Sequence, residues 1–422
     1  MRETAAPAAA SGRRLLVCSA GVPHESRGAS TVLFYHYIAR LKREGYAILH
    51  LLLLEGEAWP DAAVDAYARD FAEGERVRIV ACRSRRFVEQ GRHRHRLDPA
   101  ASAEARAVIR RFQPDAIVAF DILAAWIAAP VAAPRVVWLG DLNFQSIWHH
   151  ALYAVRERPT ALVHLASNWL CCRSWERLYR DVLGSAETII VASHSSVAAL
   201  GRLGIAATYE PYPWPEPMAG RASARKPLPE TPSFLFFGTL TGLGSRSALH
   251  FTLEKVFPRL RRLWGEGGFR ILLAGRGAVP HWAERMMASR REFERLGFVE
   301  DLDAVMASCH AVLVPIDVPV GNRSRILTAM AKRTLVIAHR NTALGNPDLI
   351  DGETAYLAGD AEGFVERMRL AVADRQRAEA IIERAFSCWE RKFHPDAAGA
   401  RLAARVAALL ENGAPAPAPA AA

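Results

Sequence analysis

The chain has 422 residues, a formal net charge of +10 and a sequence isoelectric point of about 9.6. Its length is too great for one ordinary hydrophobic core and predicts two or three domains. Hydrophobic residues make up 51% and charged residues 23%, which excludes an intrinsically disordered chain. The six cysteines form no C-x-x-C pair, which excludes a disulfide framework and a cysteine-based metal site, so we expect a reducing, cytoplasmic compartment.

The positive charge has three interpretations: a solvated basic surface, a phosphorylated ligand, or an anionic membrane. A nucleic-acid partner is not expected, because the sequence has no helix-turn-helix pattern, zinc-finger spacing or basic repeat with interleaved aromatics. A basic cluster at 83–96 and a tryptophan-containing segment at 148–175 leave open a peripheral contact with the inner face of a membrane. The apolar stretch 116–133 contains Asp121 and Pro130, which favours a buried strand and a short helix over a membrane span.

The predicted elements of the first half alternate between short apolar strands and helices. An Ala/Pro-rich tail at 1–12 is expected to be disordered, and the first domain is expected over 13–208. Apolar residues recur at helical spacing over 31–44, and Gly45 suits the C-terminal cap. Six runs predict buried parallel strands: 15–19, 46–54, 77–81, 116–120, 135–139 and 188–192.

Residues 209–232 are dense in proline and predict an interdomain linker. A second alternating set follows over 233–395, then a last helix at 396–412 and a tail at 413–422 that is expected to be disordered. Its first helix is predicted over 247–263. Its predicted strands are 234–237, 270–274, 296–299, 311–315, 335–338 and 356–357. Alternating sets of this kind predict α/β domains with doubly wound sheets.

Ligands bind outside the carboxyl ends of parallel strands, so the strand-to-helix turns are the places to examine. The first turn of the second set, GTLTGLGSR, begins at Gly238 and Thr239 and reaches Arg246. Its glycines would let the backbone approach a phosphate or a sugar, although a plain flexible loop is an alternative. The next turn contains Gly275 and Arg276, and a simple turn is again an alternative.

The turn GNRSR points most strongly to a ligand. Gly321 and Asn322 lead into a predicted helix, and Arg323 and Arg325 fall in its first turn. A helix start carries roughly half a positive charge and free N–H groups, so two cations there are unfavourable by about 0.3–1 kcal/mol each. The arrangement becomes favourable if an anion such as a diphosphate binds. Alternatively, Asp317 or another carboxylate pairs with one of the arginines.

Weaker candidates lie mostly in the first half. The loop after the first strand contains His24, a candidate general base because imidazole titrates near neutral pH, and Gly28. Asp141 and His149 follow a later strand. We expect Gly28, Asp141 and His149 on the acceptor side of a cleft, with structural roles as the alternative for both histidines. The D-L-D sequence at Asp301 favours a helix cap, so no metal site is expected.

The second half resembles the catalytic domain of retaining, GT-B-fold glycosyltransferases of the group-1, or family-4, type. The resemblance extends in order over 234–393, through FLFFGTLTG, ALHFTLEKVFPRL, RILLAGRG, LGFVEDLDAVMASCHAVLVP, GNRSRILTAMAKRTLVIAH and LIDGETAYLAGDAEGFVERM. It implies two Rossmann-like domains that face each other across a cleft, with the helix at 396–412 crossing back to the first domain. It also implies a nucleotide-sugar co-substrate, no metal or other cofactor, and retention of the anomeric configuration.

The resemblance also implies individual roles. Gly238 and Thr239 would approach the donor phosphate and the acceptor. The sequence departs from a Glu-x7-Glu pattern common in such enzymes, because Val320 and Thr328 stand at those positions and Thr328 offers only a hydroxyl to the donor ribose. The remaining donor-side residues are Arg276, Phe298 and Val299 near the base, and Arg323 and Arg325 at the diphosphate, in addition to Arg246, Gly275, Gly321 and Asn322.

The sequence therefore predicts a glycosyltransferase that moves a sugar from a nucleotide-sugar to a hydroxyl of a glycan, a lipid-linked acceptor or a small molecule. Arg323 and Arg325 would stabilise the leaving diphosphate as charge develops on it. Two alternatives remain. A non-catalytic nucleotide-sugar-binding scaffold is consistent with the missing carboxylates, and a sugar-nucleotide epimerase on the same fold would need an acid/base carboxylate pair that the loops do not clearly provide.

Overall fold

The structure is a computed structural model that describes residues 12–26, 28, 30–71, 76–89, 94–215 and 228–412. The predicted disordered tails, except Gly12, lie outside these ranges, as does the middle of the predicted linker.

The first domain is built on a seven-stranded parallel sheet of order β3-β2-β1-β6-β7-β8-β9, beside a small antiparallel pair β4-β5. Its strands are β1 (Arg14–Ala20), β2 (Ala47–Glu55), β3 (Val77–Ser84), β4 (Val88–Glu89), β5 (Arg96–Leu97), β6 (Ala116–Phe120), β7 (Arg135–Leu139), β8 (Thr188–Val191) and β9 (Thr208–Tyr209). Its helices are α1 (Ser30–Arg43), α2 (Asp61–Phe71), α3 (Pro99–Phe112), α4 (Ile122–Ala128), α5 (Asn143–Glu157), α6 (Leu165–Leu183) and α7 (His194–Gly201), and a 3₁₀ turn (Pro159–His164) joins α5 to α6.

Strand β1 shows why this sheet forms in the middle of the domain. Its alternate residues pack into two different cores, Leu15 and Val17 on one face and Leu16 and Cys18 on the other. A strand that is buried on both faces must be apolar throughout, which is the pattern of a parallel sheet covered by helices.

The second domain repeats the design with six parallel strands in the order β12-β11-β10-β13-β14-β15. Its strands are β10 (Ser233–Phe237), β11 (Arg270–Ala274), β12 (Phe293–Gly297), β13 (Ala311–Val314), β14 (Val336–His339) and β15 (Tyr356–Ala358). Its helices are α8 (Leu243–His250), α9 (Phe257–Trp264), α10 (His281–Met287), α11 (Leu302–Ala307), α12 (Ser324–Ala331), α13 (Ala361–Ala373) and α14 (Arg375–Lys392). A π-helical segment, Phe251–Val256, joins α8 to α9.

The last helix, α15 (Pro395–Asn412), packs on the first domain against α1, β6 and β7. Gly399 allows this approach, because a Cβ there would lie 2.8 Å from the Cβ of Arg40. Arg405 of α15 also pairs with Glu210, with 2.9 Å between Nε and Oε1. The chain therefore enters the second domain and returns to the first.

Most predicted strands are confirmed to within one or two residues at most ends, but two elements differ. Strand β12 covers 293–297 instead of 296–299, and the helix predicted over 247–263 begins at Leu243. Gly244 and Arg246 thus belong to the helix and not to the preceding loop. The stretch 116–133 forms β6 and α4, capped by Asp121, as predicted. Among the described residues no helix combines the length and the apolar character that crossing a bilayer requires.

Candidate functional site

When the strands of each sheet are numbered in chain order, the first sheet has the order 3-2-1-4-5-6-7 and the second has 3-2-1-4-5-6, so a topological switch point lies beside the first strand of each. Ligands bind at such points because the loops diverge there and leave a crevice. In the second domain the switch point lies between β10 and β13, whose loops carry Gly238 and Arg323.

A cavity of about 550 Å³, the interdomain cavity, opens at this place between the two domains. Its lining combines residues of both domains and of the segment that joins them. They are Gly28, Asp141, Ser146 and His150 from the first domain, Trp214 from the connection, and Phe237, Gly238, Thr239, Gly242, Leu243, Gly244, Ser245, Val320, Arg323, Ser324, Arg325 and Thr328 from the second domain.

Arg323 and Arg325 flank the start of α12, as the sequence predicts, and both line the cavity. Arg323 is the N-cap residue, and its guanidinium folds back on its own loop and donates to the carbonyl oxygens of Val318 and Val320. Arg325 donates from Nη2 to Oγ of Ser245 at 3.0 Å. Two guanidinium groups are thus held at the positive end of a helix.

This concentration of positive charge has no carboxylate in an ion pair with it among the residues that the structure describes. Asp317 instead accepts from Arg156 at 3.2 Å, so the alternative that Asp317 pairs with one of these arginines is wrong. The carboxylate that acts on Arg323 is Asp141, through its charge and not through an ion pair. Burial first, and then repulsion by Arg323, lower the pKa of Arg325 to about 10, which still leaves it protonated at neutral pH. Within the described chain, Nε of Arg323 and Nη1 of Arg325 also lack a hydrogen-bond partner.

Two glycines pack in series beside Arg325: Gly238 contacts its guanidinium, and Gly275 contacts the backbone of Gly238. The Gly238 N–H donates to Ala274 O at 3.0 Å, and Gly275 has a φ of +147° that brings its backbone against the carbonyl of Gly238. A Cβ on Gly238 would lie 2.9 Å from Nη2 of Arg325. The absence of a side chain at Gly238 therefore makes room for the guanidinium, and the absence of one at Gly275 makes room for the backbone of Gly238. Of the two glycines, only Gly238, with its neighbour Thr239, is among the lining residues.

Gly321 and Asn322 connect the domains. A Cβ on Gly321 would stand 2.8 Å from Oδ1 of Asp141, so this glycine permits the first domain to approach. Asn322 donates from Nδ2 to the carbonyl oxygen of Ala192 at 3.4 Å, and its own carbonyl accepts from Tyr212 at 3.2 Å. The structure thus gives both residues interdomain contacts, and their predicted donor contacts stay a prediction.

Thr328 lines the cavity, but its hydroxyl is already engaged. It accepts a hydrogen bond from Nε1 of Trp214 at 2.9 Å and donates to Ser324 O at 3.2 Å. The sequence reasoning missed Trp214, which lies in the predicted linker and closes one side of the cavity. The proline-rich composition of that segment gave no indication of a contact with α12.

Arg246 is not among the residues that line the cavity. Its guanidinium pairs with Glu157 of the first domain, and its carbonyl oxygen accepts from Tyr153 Oη at 2.8 Å. A donor phosphate would have to displace Glu157 to reach Arg246. The glycine-rich segment thus ends in a contact between domains. The prediction missed this contact because it started the helix at 247 and so left Arg246 in the loop.

Arg276, Phe298 and Val299 lie at the ends of β11 and β12, away from the cavity lining. The Arg276 guanidinium lies over the exposed ring of Phe298 at 4.4 Å from its centroid. Their expected contact with the base stays a prediction.

The first-domain candidates separate into two groups. Gly28 and Asp141 line the cavity, whereas at the α5 position the lining residue is His150 and not His149. Desolvation by the surrounding protein raises the pKa of the Asp141 carboxyl, and the positive charge of the nearby Arg323 opposes this rise. His24 lines a different cavity, and its Nδ1 accepts from the Ser26 N–H at 3.1 Å.

No group of three or more His, Cys, Asp or Glu side chains suited to hold a metal ion occurs in the described ranges. Asp301 accepts from the N–H of Ala304 at 2.9 Å and so caps α11, as predicted.

Comparison with known proteins supports this fold. Residues 231–374 match a family model described as "Glycosyl transferases group 1". No curated protein sequence matches the chain. Among solved structures, HepE of Anabaena in complex with UDP-glucose superposes with a TM-score of 0.60 and 14% identity, covering 94% of this chain and 99% of that one.

Two further structures are similar at comparable identity. Sucrose-phosphate synthase from Thermosynechococcus elongatus has a TM-score of 0.65 and 16% identity, with 95% and 100% of the two chains covered. WaaG, a glycosyltransferase involved in lipopolysaccharide biosynthesis, has a TM-score of 0.57 and 13% identity, with 94% and 100% covered. The chain therefore has the GT-B fold of two Rossmann-like domains, and the part of it that matches the group 1 glycosyl transferases contains the arginine pair of α12.

Proposed function

We propose that the protein is a glycosyltransferase that moves a sugar from a nucleotide-sugar to a hydroxyl acceptor bound between its domains. The observation that carries the proposal is the pair Arg323 and Arg325, which lines the interdomain cavity at the start of α12 and forms no ion pair in the described chain, although the Asp141 carboxylate lies near Arg323. A diphosphate supplies the missing negative charge.

In the proposed reaction the bond between the anomeric carbon and the diphosphate oxygen breaks, and the electron pair stays on that oxygen. The acceptor oxygen bonds to the anomeric carbon, and its proton passes to the departing diphosphate oxygen on the same face. The two fixed guanidinium groups face the leaving oxygen as its charge grows, which lowers the barrier without reorganisation. We further propose that no metal ion is needed, since the arginines supply the compensating charge, and that attack occurs on the face of the leaving group, with retention.

The first donors to test are UDP-sugars, because HepE has been solved with UDP and with UDP-glucose. We expect Arg323→Ala and Arg325→Ala each to reduce hydrolysis or transfer by on the order of a hundredfold or more. The free energy of unfolding should stay equal or rise, because each substitution removes a half-buried cation that has no ion pair in the described structure. Turnover by mass spectrometry and urea unfolding measure the two effects.

Arg369→Ala is the matched control, since Arg369 is an exposed arginine paired with Glu366 on α13. It should retain the activity of the unchanged protein. Near-normal turnover in both α12 variants would contradict the assignment.

A scaffold that binds a nucleotide-sugar without transferring it is the second candidate. The hydrogen bond from Trp214 to Thr328 favours it, because this hydroxyl is not free to hold a donor ribose. The scaffold predicts UDP binding that depends on Arg323 and Arg325, together with no turnover of any donor in the panel.

We also propose a peripheral contact with an anionic membrane, through the turn between α5 and α6. Leu162 and Val163 of the turn are 61% and 77% exposed, and Trp169 near the start of α6 is 52% exposed. The exposed Arg158 precedes the turn, and Arg173 of α6 is paired with Glu176. Apolar side chains beside basic ones suit an interfacial contact. Trp175, by contrast, is buried against His95, and 90–93 of the basic cluster lie outside the described residues.

A further inference from the structure

A second cavity, of about 530 Å³, opens in the first domain beside the interdomain cavity. It lies between the loop that follows β1, the segment that follows β2, and helix α2. Gly28 belongs to the lining of both cavities, so the two spaces meet at this residue. The volume is within the range of about 300–1,000 Å³ that is typical of small-molecule sites.

One wall of this second cavity is the half-buried indole of Trp59. The ring lies directly on the backbone of Gly21, where a Cβ would come within 2.7 Å of a ring carbon. The carbonyl oxygen of Trp59 accepts from Nη1 of Arg83 at 2.6 Å, and Arg83 also pairs with Asp61 at 2.5 Å. The indole therefore provides a flat, apolar surface on Gly21, and Arg83 holds the backbone that carries it.

Two carboxylates, Glu25 and Asp70, also line this cavity. Both are exposed, and neither forms an ion pair with a residue that the structure describes. After burial, these two carboxylates are the causes of the raised pKa of Tyr35, which indicates that both lie near the same phenol. A carboxylate offers about four lone-pair positions to hydroxyl donors and repels phosphate.

Tyr67 forms another part of the wall and is fixed from behind. Its hydroxyl lies 2.9 Å from Nδ1 of His50, and Nε2 of His50 lies 2.9 Å from Oγ of Ser19. Burial lowers the pKa of His50 to about 3, so the imidazole stays neutral and donates one hydrogen bond while accepting the other. A satisfied buried chain of this kind makes the wall rigid before any ligand arrives.

We propose that this second cavity, the acceptor cavity, binds a sugar ring of the acceptor. The ring stacks its apolar C–H face on Trp59, and its hydroxyls donate hydrogen bonds to Glu25 and Asp70. The two carboxylates disfavour a nucleotide or a phosphorylated ligand at this position, whereas the arginine pair favours it in the neighbouring cavity. The inference rests on the proposed function, since it identifies the acceptor of the proposed sugar transfer as a carbohydrate.

Binding of simple pyranosides to the full chain tests this directly. The probes are the methyl glycosides of glucose, galactose, mannose and N-acetylglucosamine, followed by saturation-transfer NMR and by calorimetric titration. We expect at least one to bind, and Trp59→Ala and Asp70→Ala each to weaken it at least tenfold. Asp70 is exposed, so its variant folds even if Trp59→Ala does not, and thermal unfolding checks both.

Asp65→Ala is the matched control, because this exposed carboxylate lies on α2 with Asp70 but lines neither cavity, and it should leave pyranoside binding unchanged. Failure of all four pyranosides to bind, or equal binding by the Trp59 and Asp70 variants, would overturn the inference. Binding of glucosamine in its cationic form, without binding of any neutral pyranoside, would also overturn it in favour of a site for amines. UDP binding is measured separately on the same protein: its absence would count against the proposed function, whereas the absence of pyranoside binding with UDP binding intact would count against this inference alone.

Discussion

Gly275 makes the closest backbone contact near the arginine pair. A Cβ on this residue would stand 1.9 Å from the carbonyl oxygen of Gly238, and its φ of +147° is rarely adopted by residues with a side chain. Gly238 in turn contacts the guanidinium of Arg325. The two glycines thereby determine where the charge of Arg325 lies in the cavity.

We expect Gly275→Ala to lower the free energy of unfolding by about 1–3 kcal/mol, because the substitution imposes a strained backbone conformation as well as a steric clash. UDP binding should weaken at the same time, since the loop after β10 must shift away from Arg325. Urea unfolding and calorimetric titration measure both effects.

Gly201→Ala is the control for this prediction. Gly201 ends α7, and a Cβ there would meet nothing within 4 Å. Alanine should be neutral or slightly stabilising at such a position, because it loses less conformational entropy on folding. If both glycine variants unfold at the same urea concentration, the proposed role of Gly275 is wrong.

Single residues could be predicted only where the signal is local. The position of Arg323 and Arg325 at the start of a helix was predictable, and two cations there oppose the helix dipole whatever surrounds them. The contacts of Thr328 with Trp214 and of Arg246 with Glu157 join residues 114 and 89 positions apart, and no local pattern contains them. The sequence therefore placed Arg246 at the donor, where the structure shows an interdomain ion pair.

Among the elements, those that are buried on both faces were the most predictable. Strands β6 and β7 were predicted at their observed bounds, because each is a short apolar run. Strand β12 has the sequence FERLG with no fully buried residue. The apolar pattern therefore predicted its start at Leu296, three residues after the observed start. The start of α8 was missed because Gly244, a poor helix former, lies in its first turn, where it makes room for Ile316 and Arg323.

The turn between α5 and α6 provides a test of the proposed membrane contact. We expect the protein to sediment with vesicles of phosphatidylglycerol and phosphatidylcholine. Val163→Glu should reduce the bound fraction severalfold, because it replaces the most exposed apolar side chain of the turn with a negative charge. Added salt should weaken binding through the screening of Arg158. Leu263→Glu, on the partly exposed end of α9, is the control, and equal binding by the two variants would contradict the proposal.

At the scale of the whole molecule, contacts on two sides of the cleft hold the domains together. On one side Arg156 of α5 pairs with Asp317 and Glu254, near the pair of Arg246 and Glu157. On the other side the His194 N–H donates to the carbonyl oxygen of Gly345 at 2.9 Å. The alternation of strands and helices predicted each sheet. The relative position of the domains depends instead on these long-range pairs, which no local sequence pattern indicates.

Glu157 is the residue on which one side of this arrangement depends. The side chains of Arg246 and Glu157 are only 25% and 11% exposed, and Arg156 and Arg246 lie over the same Tyr153 ring at 5.7 and 5.3 Å. Removing the carboxylate leaves the guanidinium groups of Arg156 and Arg246 to repel each other. It also removes a hydrogen bond between charged groups, which contributes about 1.5–3 kcal/mol to stability. We therefore expect Glu157→Ala to increase the radius of gyration in small-angle X-ray scattering without nucleotide. Glu176→Ala, which removes the carboxylate of an ion pair within α6, should leave the radius unchanged, and an equally compact Glu157 variant would show that the ion pair does not hold the cleft closed.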